Sequence, residues 1–142
     1  MGAAFLAAMG LYLPPQLDWV SYVAGNPWPT ENEDDYWGIA DDWSSARDRI
    51  LALLPGGSVQ PNLGTATKAT QQAYPAGAGG DAICAALHGL AAGDGSLEDL
   101  AWQMSLVVDA ANSTGSKIRE LKLMILESLV LLAWELTTRC RP

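Results

Sequence analysis

The sequence predicts an all-α protein, an antiparallel bundle or hairpin of four to five helices, on three observations. Several segments carry apolar residues at the three-and-four spacing of one helix face. Ala, Leu and Met dominate the apolar set, Ile and Val are sparse before residue 107, and no stretch alternates apolar with polar for long. Capping residues at one end and Gly or Pro at the other bracket most of the helical segments.

The elements follow in chain order. Residues 1–8 are small and apolar with no basic start, a poor export signal, and are set aside as a leader or a disordered segment; residues 9–138 form the domain and 139–142 a tail. Pro14 and Pro15 suit a helix start, with Leu17, Val20 and Val23 on its apolar edge and Gly25 as its stop. A second helix spans 31–54. Thr30 and Glu33 have the spacing of a capping box, and Glu31, Glu33, Asp34 and Asp35 place anions at the positive end of the dipole. Ile39, Ala40, Trp43, Ala46, Ile50, Leu53 and Leu54 line its face, Arg47 and Arg49 suit its far end, and Pro55, Gly56 and Gly57 stop it. Trp43 and Ile50 are expected to be buried against the last helix.

Residues 55–80 read as a loop with a helical patch near 65–73. Asp81 is expected to cap a third helix over 81–92, and Ser96 a fourth over 97–112. Asn112, Ser113, Thr114 and Gly115 make either a turn or an uninterrupted helix, since one interior Gly costs only about 1 kcal/mol. The last helix, 117–138, is apolar almost all round. Its runs 123–126 and 129–134 fall short of the roughly 18–20 residues that span a bilayer. Glu127 would also sit near the centre of any span, at about 2.5–3.5 kcal/mol. A helix of this kind packs on several sides, in a core or against a partner.

Composition removes several functions. A formal charge of -8 gives no cationic footprint for nucleic acid and no attraction to anionic lipid. Asp34 with Asp41, and Asp35 with Asp42, lie seven apart and could converge on a metal. No second acidic helix and no basic clamp accompanies them, so they read as a solvated face. His88 is the sole histidine and has no ligand or triad pattern around it. Residues 77–81 lack the Lys-Ser/Thr of a phosphate loop. Cys84 and Cys140 fit no metal or redox spacing and are either two thiols or one disulfide. No cofactor, metal or catalytic residue is expected. The six tryptophans (19, 28, 37, 43, 102 and 134) are expected chiefly in helix packing, with some free to anchor a partner.

One further pattern is a resemblance. Residues 9–25 read MGLYLPPQLDWVSYVAG; NPWPTENEDD follows at 26–35, then Trp37 and Trp43. The late stretch has Gly93, Asp94 and Gly95, a helix, and IRELKLMILESLVLL at 118–132. This order resembles the WXG-like amino-terminal domain of actinobacterial type VII secretion substrates and polymorphic toxins. That group includes a channel-forming mycobacterial necrotizing-toxin precursor. The resemblance covers roughly residues 9–138. It implies long antiparallel helices and a non-catalytic domain that routes an effector into the export machine. The domain would be cytoplasmic before export and secreted or envelope-bound after it. A membrane-active channel domain is the alternative, which the charge disfavours.

Two departures stand out. The turn that would hold Trp-x-Gly corresponds to residues 74–80, with Tyr74 in the tryptophan's place and Gly77, Gly79 and Gly80 as its glycines. Trp37-Gly38 has no spacer and lies within a helix. The Tyr-x-x-x-Asp/Glu export signal is also absent, and Leu123 with Glu127 has its spacing without the Tyr. Leu123, Leu126, Val130 and Trp134 on the last helix are the expected partner-binding residues. The partner is either another helical protein or a second copy of the chain.

Overall fold

The computed structural model describes residues 10–19, 22, 25 and 28–139. The 1–8 leader, Val20, Val23 and Cys140 lie outside them. Among the described residues there are four α-helices and no strand: α1 (Glu33–Leu53), α2 (Leu63–Ala73), α3 (Ala78–Ala91) and α4 (Leu97–Arg139). A 3-10 turn at Pro15–Leu17 precedes them. The chain divides into two compact units, one holding 1–39 with 110–142, the other 40–109.

In the first unit, α1 opens differently from the sequence expectation. The helix starts at Glu33, so Asn32 takes the cap position and its Oδ1 accepts the Asp34 N–H at 3.3 Å. Glu33 does not close a box with Thr30. Its carboxylate turns inward, where Oε1 accepts the Leu11 N–H at 2.6 Å and Oε2 accepts from Lys122 Nζ at 2.7 Å. One turn on, Trp37 meets Gly115, and the Arg119 guanidinium lies 5.8 Å from the centre of the Trp37 ring. Positions rise along α1 as they fall along α4, so the two segments run antiparallel.

In the second unit, α2 and α3 pack as a short pair. Asn62 and Thr65 cap α2 reciprocally: Asn62 Oδ1 accepts the Thr65 N–H at 3.0 Å, and Thr65 Oγ1 accepts the Asn62 N–H at 2.8 Å. The patch expected near 65–73 is thus a full helix. Helix α3 starts at Ala78, so Asp81 stands in its first turn rather than at its cap. Ser96 caps α4 as expected, its Oγ accepting the Asp99 N–H at 3.3 Å. Arg47 pairs with its neighbour Asp48 at 2.8 Å, and no basic side chain occupies the last turn of α1.

Helix α4 is one continuous element of 43 residues, which resolves the choice at 112–115 in favour of continuity. Gly115 is the reason a glycine stands there. A Cβ would fall 2.7 Å from Trp37 Nε1 and 3.2 Å from the Glu33 carbonyl oxygen. The residue lets α4 approach α1 rather than breaking the helix. The inward positions of α4 are Leu97, Ala101, Met104, Val108, Ala111, Gly115, Ile118, Lys122, Ile125, Leu129 and Leu132, and each is buried or half-buried. They alternate steps of four and three without a break, the pattern of a helix pairing along one seam.

The apolar core is small. Among the described residues its fully buried members are Ala40, Ala91, Ala101, Met104, Ala111 and Leu129. Four of the six tryptophans, 19, 43, 102 and 134, are more than two-fifths exposed, which corrects the expectation of packing for 19, 43 and 102. Trp43, expected in the core, is 41% exposed. With Asp42, Ala46 and Met104 it lines an open cavity of about 280 Å³, so helix pairing covers one side of the indole only. Ile50 is half-buried.

Candidate interaction surface

The final four turns of α4 present a second apolar seam. Leu123, Leu126, Val130 and Trp134 follow at steps of three, four and four, which keeps them on one stripe. Leu126 is half-buried at its edge. The others face solvent: Leu123 is 46% exposed, Val130 50% and Trp134 69%. Met124 and Leu131, further round the helix, are exposed as well. Monomers seldom leave such side chains contiguous and uncovered. Indole is also the side chain most enriched where binding energy concentrates.

About a quarter-turn round the helix from that stripe, at Lys122, lies a polar joint. Glu33 and Lys122 are 1% and 4% exposed. The ammonium has three N–H donors that water would ordinarily satisfy; here the Glu33 carboxylate takes one, and the Trp28 ring lies 6.0 Å away within cation–π range. Burial pushes the Glu33 carboxyl up. The Lys122 hydrogen bond, the Leu11 N–H and the ammonium charge outweigh burial, so its pKa falls below the ordinary 4.5. Gly10 packs so closely on Asn32 and Glu33 that a Cβ there would overlap the Asn32 side chain. Sequence reading assigned Glu33 to a cap and gave Lys122 no role. The signal for Lys122 was the α4 seam, which is unbroken only if Gly115 and Lys122 are counted as inward positions.

The residues expected in the hairpin turn behave individually. Gly80 is buried, and a Cβ there would lie 2.8 Å from both the Tyr74 Cβ and the Tyr74 carbonyl oxygen. Tyr74 and Gly80 are therefore brought together, although Tyr74 itself is 60% exposed. Gly77 holds φ at +122°, a conformation that favours glycine. Gly79 is exposed with open space where a Cβ would go, so nothing local demands glycine there.

Among the described residues no three His, Cys, Asp or Glu side chains are placed to share a metal ion. Asp41 and Asp42 are exposed, His88 is exposed in the last turn of α3, and Cys84 is a half-buried free thiol. No described helix is long and apolar enough to cross a membrane.

Comparison with protein families finds that a family model described as WXG100 like domain matches residues 14–138. Curated proteins and solved structures give no significant match.

Proposed function

The chain belongs to the WXG100-like domain family, and we propose that it is the non-catalytic helical targeting and interaction domain of a type VII secretion substrate. The family supports a helical protein of the type VII export system. The single observation that carries the interaction role is the uncovered seam of Leu123, Leu126, Val130 and Trp134 on α4. A seam with helical spacing fits the apolar stripe of another helix, so the proposed partner is a helical chain, either a WXG-type protein or a second copy. The toxin-type substrates that the sequence resembles extend the proposal to effector delivery. On that reading the chain is cytoplasmic until export and then secreted or held at the envelope. The turn at Tyr74, Gly77, Gly79 and Gly80 would take the place of the family's Trp-x-Gly turn.

Light scattering coupled to size exclusion tests this reading. The chain is measured alone over a concentration series, and after co-expression with a small WXG-type protein. A dimer or heterodimer is expected in one of those arms. The variant Leu123→Glu/Val130→Glu/Trp134→Glu should abolish it while keeping the helical circular dichroism signal. A monomer in every arm, or a complex that the triple variant leaves intact, overturns the reading.

A further inference from the structure

On the outward side of α4 one charge stands inside the apolar surface. The side chains three and four positions away are the nearest neighbours of any residue on a helix. For Glu127 these are Leu123, Met124, Val130 and Leu131. All four are large, apolar and between 46% and 60% exposed. The other acids of these turns are placed differently. Glu120 follows Lys117 by three residues and Glu135 precedes Arg139 by four, spacings at which opposite charges support a helix. Among the described residues Glu127 has no ion pair. Whatever covers the four apolar side chains also covers Glu127, and a carboxylate taken out of water is costly unless a cation meets it.

We infer that Glu127 fits the outward seam to a different chain, a helix with a Lys or Arg set among apolar side chains, and rejects a second copy. The inference rests on the interaction role proposed above for that seam and selects between its two partners. A dimer that closes on itself pairs one patch with the same patch. In a parallel pair Glu127 would face Glu127. In an antiparallel pair centred on the stripe it would face Val130, with the two Glu127 residues about 4.5 Å apart along the axis. No Lys or Arg occurs between 123 and 138. Bringing Lys117 or Arg119 opposite Glu127 moves the centre of the pair to Lys122 or Leu123, and Trp134 then faces Ala110 or Asn112. Arg139 lies about 180° round the helix from Val130. A copy that covers the stripe therefore leaves two carboxylates close together and unpaired, the kind of repulsion by which interfaces exclude wrong partners. The formal charge of -8 acts in the same direction, repelling a copy and attracting a basic chain.

Light scattering and native mass spectrometry test this on the chain and on Glu127 variants, which should keep the helical circular dichroism signal because the residue is exposed. The unaltered chain alone is expected to stay monomeric at high concentration, and Glu127→Leu to dimerise. An isotope-labelled unaltered chain mixed with Glu127→Lys is expected to give a mixed dimer, while neither dimerises alone. Adding Leu123→Glu/Val130→Glu/Trp134→Glu to either chain should abolish it. In complex with a small WXG-type protein, Glu127→Lys is expected to weaken binding about 30-fold or more, the usual result of breaking a covered charge pair. A homodimer of the unaltered chain that the triple variant abolishes overturns the inference and leaves the interaction role standing. So does a WXG-type complex that needs the seam but is indifferent to Glu127. No seam-dependent assembly in any arm overturns the interaction role and the inference with it. Uptake by phosphatidylcholine vesicles that the triple variant loses and Glu127→Leu strengthens would give the seam to lipid and overturn both.

Discussion

Lys122 and Trp134 lie on one helix, about 18 Å apart along its axis, and each occupies the environment ordinarily reserved for the other. The cation is 4% exposed and the indole 69%. The difference teaches that the seam of α4 admits a cation where a specific partner meets it, while apolar size alone does not bring a side chain inside. Near Lys122 the Glu33 carboxylate, itself held by the Leu11 N–H, meets α4, and Trp37 meets it at Gly115. On the outward stripe Val130 and Trp134 are 50% and 69% exposed. One side of the helix is closed by geometry, and the other remains open and apolar.

The largest break in this comparison comes from removing one half of the joint. Glu33→Ala strands a buried ammonium, and Lys122→Ala strands a buried carboxylate. Each is expected to cost about 3–5 kcal/mol, the usual result of leaving one charge of a buried pair. Urea denaturation measures it. Losses below about 1 kcal/mol in both variants would show that water reaches the pair and that the joint is not closed.

Gly115 sharpens the same side by sterics alone. Gly115→Val places a branched side chain where even a Cβ would be 2.7 Å from Trp37 Nε1. Overpacking of this kind costs about 1–3 kcal/mol. Trp37→Ala should restore part of the loss, because the two residues share the contact and their effects do not add. Equal losses in Gly115→Val with and without Trp37 would place the strain elsewhere.

Acid titrates the joint more gently. The folded Glu33 pKa lies below 4.5, so the unfolded chain binds more protons between the two values. The stability due to this group is complete above about 4.5 and is lost as pH falls through the lower, folded value. The loss should be smaller than that of Glu33→Ala, because a protonated carboxyl still fills its site and still accepts a hydrogen bond. Denaturation followed from pH 6 to pH 3 should show a decline that Glu33→Gln/Lys122→Met lacks. Parallel declines in the two proteins would assign the acid sensitivity to other carboxylates.

Much of this was legible in the sequence, and what was missed has a common cause. Helix periodicity and the Ser96 cap depend on residues close in sequence, and local pattern reads them well. Glu33 has local credentials as a capping residue, three positions after Thr30, yet its partner is 89 residues away. Gly115 follows Asn112, Ser113 and Thr114, a set that reads as a turn, and only the approach of Trp37 explains it. Trp43 looks like a core residue by size and spacing. Whether a large apolar residue is covered depends on how many neighbours surround the helix. Paired helices cover one side, where a many-helix bundle would cover most of it. The outward stripe at 123, 126, 130 and 134 was readable from its spacing because that property belongs to α4 alone.

The smallest expected effect lies on the open side. Trp134→Ala in the isolated chain removes a side chain that is 69% exposed and leaves no cavity behind it. Surface changes of this kind stay within about 0.5 kcal/mol, against roughly 3–5 kcal/mol for deleting a tryptophan from a core. Val130→Ala, at 50% exposure, should behave alike. The same two substitutions become a strong probe once a helical partner is present. A buried aromatic anchor at the centre of an interface carries 2 kcal/mol or more of binding, by the usual alanine-scan scale of roughly that size. The open side is therefore expected to be silent in denaturation of the lone chain and loud in a titration with partner. A lone-chain loss of several kcal/mol on Trp134→Ala would mean that the indole is covered within the chain, and the contrast between the two sides of α4 would disappear.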